Sequence, residues 1–236
     1  METVEIIPEL YLLGFEIGQA YLWCDPGELT LIDTGVAGSG EAIARAIRSL
    51  GRDPAELRRV LLTHCHEDHA GSAAEIAGWG GGGRVQVLAH RLDAPVIRGE
   101  RPPLPPVFDD APAWEEELWA AKPVLPPAPP ARVDVKLADG DVVDFGGGAR
   151  VVAVPGHTDG SAAFHLPGPR VLFTGDAVAN VGGRTILGVF NRDRARAIES
   201  FHRLAALDAQ VAVFGHGEPI TSDAATALRA AAASTG

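Results

Sequence analysis

Short runs of aliphatic and β-branched residues recur along the chain, and most are bounded by Gly, Pro, Asp or Asn. Runs of this length and composition are typical of β-strands. The clearest predicted strands lie at 10–15, 20–24, 29–33, 59–63, 85–88, 150–155, 170–175 and 210–215. Strands are therefore expected along most of the chain.

Apolar residues at helical spacing occur between some of these strands and predict amphipathic helices. The predicted helices cover 40–50, 67–79, 114–121, 192–207 and 221–233. Strands nevertheless cluster around 4–33 and 132–175 instead of alternating regularly with helices. This order favours an α+β fold, in which two β-rich halves pack together with helices outside, over one doubly wound parallel sheet.

Two segments break this pattern. The stretch GWGGGGR (78–84) lacks the Lys-Ser or Lys-Thr of a phosphate-binding loop, so we interpret it as a flexible connection between a helix and a strand. Residues 98–132 are dense in proline, which fixes φ and favours an extended, fairly stiff path. We expect this second segment to be an ordered excursion across the surface.

Several predicted strands are followed closely by His or Asp, two residue types that commonly bind metals. The carboxyl ends of strands often share one crevice, so convergence of these ends would collect their side chains at one point. A closed structural zinc site has four ligands, often thiolates. The seven groups here are more than such a site needs and include no thiolate cluster, so they suit two ions that share a bridging carboxylate. The groups are His64, His66, Asp68, His69, His157, Asp176 and His216.

Each of these residues has an ordinary structural interpretation when it is taken alone. A histidine at a strand end is more often a neutral, hydrogen-bonded side chain than a ligand, and an Asp before a helix is usually a cap. His165 and His202 fit that interpretation, whereas His90 follows a strand and is kept only as a residue that supports ligands. The joint placement of the seven groups is what favours a metal site.

Composition and charge narrow the classes of partner. Hydrophobic residues make up 46% of the chain and charged residues 22%, as in a globular protein. The 20 Lys and Arg against 31 Asp and Glu give a formal net charge of -11, which disfavours a nucleic-acid partner. No apolar run is long enough for a membrane span, the acidic start lacks a secretory signal, and the two cysteines do not suggest an oxidising compartment. We therefore expect a cytoplasmic protein that acts on a small molecule, without a membrane partner.

The chain resembles the metallo-β-lactamase superfamily in a set of motifs. The HxHxDH motif of that family stands here as HCHEDH (64–69), and LIDTG (31–35) matches an earlier motif. Three later motifs follow in the family's order: GHTDG (156–160), FTGDA (173–177) and FGHGE (214–218). The resemblance extends from about residue 10 to about residue 220.

This resemblance implies one domain over 1–236, a four-layer αββα sandwich with the metals at one edge between its sheets. Asp33 would be a supporting carboxylate that orients ligands, although its place in DTG suits a turn residue equally well. The implied ligands are His64, His66 and His157 for the first ion, Asp68, His69 and His216 for the second, and Asp176 as the bridge.

The implied chemistry is hydrolysis by a hydroxide that two metal ions share. Metal binding lowers the pKa of water to about 7, and the ions also polarise a substrate carbonyl. Asp68 would be the catalytic carboxylate that orients the nucleophile or passes a proton to the leaving group. Cys65 lies between ligands and has no base to activate it, so a covalent mechanism is not expected. Two zinc ions per chain are expected, with iron or manganese as alternatives.

The residues match more than one branch of the superfamily in part. Glyoxalase II-like and lactonase-like members usually have Pro where Asp159 stands, and lactonases commonly carry Tyr near Asn180. The stretch GGRT (182–185), which contains Arg184, resembles persulfide dioxygenases, and those enzymes use a single iron. We expect a hydrolase of a small thioester, ester or lactone, similar to hydroxyacylglutathione hydrolase. A mononuclear iron, persulfide-dioxygenase-like oxidoreductase is the alternative.

The proline-rich segment carries apolar side chains with two open interpretations. They would form a lid over the metals, which favours a substrate with a hydrophobic acyl part, or they would cover a sheet edge or a homodimer interface. The side chains concerned are Phe108, Trp114, Leu118 and Trp119. The candidate substrate-binding residues are Trp114, Trp119, Asn180 and Arg184.

Overall fold

A computed structural model describes residues 1–79 and 85–235, and the chain divides into two compact units. Most of the predicted glycine-rich connection, 80–84, lies outside the described residues. The single domain over 1–236 stays a prediction. The first unit consists of Met1–Pro102 and Leu125–Leu137, and the second consists of Pro103–Val124 and Ala138–Gly236.

The first unit contains a seven-stranded sheet in which the strands lie in chain order. Strands β1 to β4 are antiparallel, and β4 to β7 pair in parallel. Parallel strands end at the same edge of a sheet, so the residues that follow β4, β5 and β6 lie along one edge. The strands are β1 (Glu2–Ile7), β2 (Leu10–Gly14), β3 (Gln19–Asp25), β4 (Glu28–Ile32), β5 (Leu57–Leu62), β6 (Gln86–His90) and β7 (Val135–Leu137).

Helices of the first unit bury their apolar faces against this sheet. Ile43 and Ile47, whose spacing predicted the first helix, are fully buried in one core with strand residues such as Leu31 and Val60. Burial of each such side chain stabilises the fold by about 1.5–3 kcal/mol. The helices are α1 (Gly40–Ser49), α2 (Glu67–Ala70), α3 (Ala73–Ala77) and α4 (Ala94–Ile97).

The prediction of one continuous helix over 67–79 is wrong, because α2 and α3 are separate. Gly71 lies between them, where a β-carbon would collide with the backbone of Val36 and Ala37. Beside it, Ser72 Oγ accepts from Ser39 N at 2.8 Å and donates to Val36 O at 2.7 Å. The close approach of this loop thus ends the helix after one turn, directly behind the HCHEDH motif.

The second unit contains a five-stranded sheet of order β14-β11-β10-β9-β8 and a separate hairpin of β12 and β13. Strands β11 and β14 are parallel, with Phe173 opposite Val213. Asp176 and His216 each follow these paired residues by three positions, so the register places both beyond one edge of the sheet. The strands are β8 (Val142–Val143), β9 (Ala149–Ala153), β10 (Ala162–Leu166), β11 (Val171–Phe173), β12 (Val178–Val181), β13 (Arg184–Leu187) and β14 (Val211–Val213).

The helices of this unit are α5 (Ala113–Ala121), α6 (Arg194–Ala205) and α7 (Ala224–Ala233). The Asp193 carboxylate accepts a hydrogen bond from Arg196 N, which caps α6 and explains why this helix begins two residues later than predicted. Phe201 and Leu228 are fully buried in a core with strand residues such as Leu172. Within the described part of the chain, no helix has the length and apolar character that crossing a membrane requires.

Candidate metal centre

The HCHEDH motif forms a tight group of side chains at the carboxyl end of β5. His66 is extended and forms the N-cap position of α2, so the chain turns into a helix within the motif. His64 Nε2 lies 3.1 Å from His66 Nδ1, and the rings of His64 and His69 are 4.2 Å apart between centroids. The Asp68 carboxylate lies 3.6 Å from His69 Nε2. His64 and His69 are buried, whereas His66 and Asp68 are partly exposed.

Asp33 organises this group from the neighbouring strand. It directly follows β4, has a left-handed φ of 61° and is buried. Its carboxylate accepts from Thr63 N at 2.7 Å, from Thr63 Oγ1 at 2.7 Å and from His69 Nδ1 at 2.9 Å. The Thr63 hydroxyl oxygen in turn lies 3.0 Å from His64 Nδ1. Because the hydroxyl proton goes to Asp33, this oxygen is an acceptor for His64, and the Nδ1 protons of both histidines face acceptors.

The two spacer positions of the motif differ in burial. Cys65 packs in the hydrophobic core, and its backbone N–H donates to Asp93 Oδ2 at 2.9 Å. Burial, with a smaller contribution from the Asp93 charge, raises the pKa of the Cys65 thiol well above its usual value. Glu67 is partly exposed in the first turn of α2. A protonated thiol inside the core is a poor nucleophile, which agrees with the expectation of a non-covalent mechanism.

The second unit contains the other three candidate ligands, and two of them are histidines that lie close to the carboxylate of the third. Asp176 Oδ2 lies 3.6 Å from His157 Nε2 and 3.3 Å from His216 Nε2. His157 is buried and Asp176 is 12% exposed at its side chain, whereas the His216 side chain is 38% exposed. The structure therefore brings these three together within this unit. The joint set of seven ligands stays a prediction.

A loop at 188–193 fixes the position of His157. Val189 O lies 2.9 Å from His157 Nδ1. The N–H groups of Arg192 and Asp193 both donate to Gly156 O, at 2.8 and 3.0 Å. Gly156 has a φ of 137°, and a β-carbon there would collide with Ala197 at the start of α6. The close approach of this helix therefore requires glycine at the first position of GHTDG.

The donor set suits a metal ion. A carboxylate or a carbonyl oxygen only accepts hydrogen bonds, so His69 and His157 donate from Nδ1, and Nε2 is the ring nitrogen that points away from these acceptors. Each Nε2 then faces a carboxylate oxygen at 3.6 Å. A cation between a neutral imidazole nitrogen and a carboxylate is stabilised by both groups, whereas imidazolium ions as close as His64 and His69 would repel one another. Metal-binding histidines typically show this arrangement, with the second ring nitrogen held by a protein acceptor.

Asn180, a candidate substrate residue, is buried and bonded to the segment that carries His216. Its N–H donates to His216 O at 3.3 Å, and its side-chain amide donates to Glu218 O at 2.7 Å. Its side-chain oxygen accepts from Thr185 Oγ1 at 3.1 Å. These contacts stabilise the loop around His216, and the role of Asn180 in binding substrate stays a prediction.

The remaining candidate substrate residues also lie in the second unit. Trp114 and Arg184 line a pocket of about 640 Å³ together with residues of α6 and α7. Trp119 packs against Phe190, with ring centroids 5.1 Å apart, and Phe108 lies 6.3 Å from Trp119 on the same measure. The two tryptophans of the proline-rich segment therefore differ: Trp119 packs against neighbouring rings, whereas Trp114 is half exposed. Their roles as a lid or an interface stay predictions.

Several supporting groups have no signature in the sequence. The carbonyl of Val189 belongs to the backbone, so its contact with His157 cannot be predicted from the residue type. Thr63 and Asp93 follow strand ends, as the ligands do, and that position is the one signal that would have pointed to them. Glu115 lies in the proline-rich segment among other acidic residues, and its burial could not be anticipated from composition.

Comparisons with known proteins show which family the chain resembles in sequence and structure. The model of the metallo-beta-lactamase superfamily matches residues 13–216. A probable metallo-hydrolase, YflN, from Bacillus subtilis (strain 168) is 29% identical, and the alignment covers 84% of this chain and 78% of that protein. A hydroxyacylglutathione hydrolase from Cereibacter sphaeroides (strain ATCC 17023) is 31% identical over 84% of this chain. The chain spans 60% of the length of that hydrolase.

A solved structure shows the same similarity in three dimensions. The metallo-beta-lactamase family protein TTHA1429 from Thermus thermophilus matches with a TM-score of 0.70 at 28% identity. The match covers 97% of this chain and 78% of that chain.

Proposed function

Because the chain belongs to the metallo-β-lactamase superfamily, we propose that it is a dinuclear zinc hydrolase of a small thioester, ester or lactone. Its curated relatives include metallo-hydrolases and hydroxyacylglutathione hydrolases, which supports hydrolysis as the reaction class. In this proposal the first ion is bound by His64, His66 and His157, the second by Asp68, His69 and His216, and both by Asp176.

One observation carries the proposal. In each unit, a histidine whose Nδ1 proton is held by a protein acceptor directs its other nitrogen at a carboxylate oxygen 3.6 Å away. The first pair is His69 with Asp68, and the second is His157 with Asp176. Asp176 Oδ2 is also 3.3 Å from His216 Nε2, so this oxygen faces one proposed ligand of each ion, which supports a bridging role.

The residues of the chain would divide the work between binding, orientation and proton transfer. When bound, two metal ions would supply a hydroxide at neutral pH and polarise the substrate carbonyl. Asp33 holds the Nδ1 proton of His69 and, through the Thr63 hydroxyl, orients His64. Asp68 has 14% of its side chain exposed, so its carboxylate is accessible to orient the nucleophile, or to accept a proton from it and pass that proton to the leaving group.

The substrate in this proposal is a small molecule, and nucleic acid is not a partner. The formal net charge of -11 supports the second point, because such a surface repels polyphosphate. The half-exposed Trp114 and Leu118 of the proline-rich segment support a substrate with an apolar acyl part.

Turnover by the zinc-reconstituted protein tests this function. We expect hydrolysis of at least one member of a panel that contains a hydroxyacylglutathione, an aryl ester and a small lactone. Asp176→Ala should lose bound zinc and activity together, because it removes the carboxylate that faces two histidines. The matched control is Asp208→Ala, a surface carboxylate paired with Arg170, which should keep both.

Two results would contradict the proposal. One is full turnover by Asp176→Ala, which would remove the bridging role. The other is a protein that is inactive with zinc and, when loaded with one iron, takes up oxygen with a thiol-derived substrate. That result would favour the persulfide-dioxygenase-like alternative.

A further inference from the structure

Glu115, a carboxylate of the proline-rich segment, is buried although the function proposed above does not use it. Only 3% of this residue is exposed, whereas its helical neighbours Glu116 and Glu117 are exposed. Its Oε1 accepts from Arg194 Nη1 at 2.8 Å, and its Oε2 accepts from Phe190 N at 3.2 Å. An ionised carboxylate is costly to bury unless it is paired and hydrogen-bonded, so these two contacts define its place in the fold.

The contact with Phe190 leads to His157 through a single peptide group. The N–H of Phe190 and the carbonyl of Val189 belong to the same peptide bond, and that carbonyl lies 2.9 Å from His157 Nδ1. A trans peptide is planar and directs these two groups in opposite directions. Glu115 and His157 therefore bond to opposite sides of one rigid unit, and rotation of that unit would break both hydrogen bonds.

The backbone at this peptide needs external support. Phe190 has a φ of 61°, a left-handed conformation that is unfavourable for a bulky side chain. Besides Glu115, segment 103–124 supplies the Trp119 ring, which packs on Phe190 at 5.1 Å, and the Val107 N–H, which donates to Asn191 O at 2.9 Å. The proline-rich segment thus holds the loop that holds His157.

We propose that Glu115 is a positioning residue for His157, acting through the Val189–Phe190 peptide, and this inference rests on the proposed role of His157 as a metal ligand. The negative carboxylate polarises the peptide and makes the Val189 carbonyl a stronger acceptor. The carbonyl then keeps the His157 proton on Nδ1 and presents Nε2 to the metal. Removal of a group that hydrogen-bonds directly to a ligating histidine typically lowers metal affinity about 10- to 100-fold, and we expect a loss of this order for Glu115, which acts through one peptide group.

Three variants separate positioning from general stability. Glu115→Ala removes the acceptor for Phe190 N–H. Arg194→Gln breaks the same buried ion pair but keeps the Glu115 carboxylate, and Glu116→Ala changes an exposed carboxylate of the same helical turn. Two readouts are used: the ring ¹⁵N shifts of His157 in the metal-free protein, and zinc affinity in competition with a chromophoric chelator.

We expect Glu115→Ala to shift the His157 ring nitrogens away from the Nδ1-protonated form and to weaken zinc binding about 10- to 100-fold. Glu116→Ala should keep the wild-type spectrum and zinc affinity, whereas Arg194→Gln leaves the acceptor for Phe190 N–H in place and should change both readouts less than Glu115→Ala does. Where Glu115→Ala does not fold, Glu115→Gln carries the test, because its neutral oxygen is a weaker acceptor. It should give a smaller shift in the same direction.

Wild-type spectra and affinities in the folded Glu115 variant would overturn the inference, as would an Arg194→Gln protein that changes as much as Glu115→Ala. The failure of the proposed function would look different. A wild-type protein that binds no zinc would remove the metal role of His157, whereas the ring shifts of the metal-free protein would still report on the contact through the peptide.

Discussion

At the scale of single residues, the candidate centre depends on acceptors that fix the tautomer of each histidine. Asp33 accepts three hydrogen bonds, and one of them keeps the proton of His69 on Nδ1. The carboxylate is buried, so each of these bonds is stronger than it would be in water. The geometry thus gives Asp33 contacts that a turn residue would not need.

Replacement of this carboxylate should therefore weaken metal binding without direct loss of a ligand. We expect Asp33→Asn to lower zinc affinity about 10- to 100-fold, because the neutral amide holds the His69 proton less strongly. Competition with a chelator measures the change. Asp25→Asn at the end of β3 is the matched control, since the Asp25 carboxylate also accepts a hydrogen bond, from Trp23 Nε1 at 3.0 Å, but lies outside the HCHEDH motif. Equal affinities of the two variants would show that Asp33 serves the turn alone.

The candidate ligands could be named from the sequence because His and Asp have few other reasons to follow several strands in turn, and their role as ligands stays a prediction. The supporting groups could not be predicted to the same degree. Val189 acts through its carbonyl and Phe190 through its N–H, and these atoms are identical in every residue type that can stand there. Such contacts depend on the conformation of a loop, which local residue patterns do not specify.

At the scale of elements, each of the eight predicted strands overlaps a strand of the structure, whereas one predicted helix is interrupted. The β11 and β14 runs predicted strands, and their parallel pairing explains why Asp176 and His216 meet. The helix predicted over 67–79 is interrupted at Gly71 and Ser72, where loop 36–39 packs against it. Helical spacing reports on a local face, whereas this break comes from a segment more than thirty positions earlier in the chain.

Glycines at such close approaches should be less tolerant of change than glycines that only relieve a left-handed φ. Gly156 and Gly140 both have positive φ, but a β-carbon collides with Ala197 at Gly156 and meets nothing at Gly140. We expect Gly140→Ala to lower the free energy of unfolding by about 1–2 kcal/mol through strain alone. Gly156→Ala should cost about 1–3 kcal/mol more, since it adds overpacking. Urea unfolding measures both, and equal costs would contradict the packing described at α6.

At the scale of the whole molecule, the predicted fold class, α+β of the metallo-β-lactamase type, is confirmed by the family match and by the similarity to a solved structure. It could be predicted because five short motifs occur in one order along the chain. The packing of segment 98–132 could not be predicted, since proline restricts φ without specifying a docking partner. The buried Glu115 assigns the middle of that segment, 103–124, to the second unit.

Metal content tests the central claim, that seven residues of this chain hold two metal ions, more directly than any assay of turnover. We predict about two zinc ions per chain in the reconstituted protein after removal of excess metal, measured by elemental analysis against protein concentration. A protein that retains no metal, or one that retains a single iron and excludes zinc, would contradict the account.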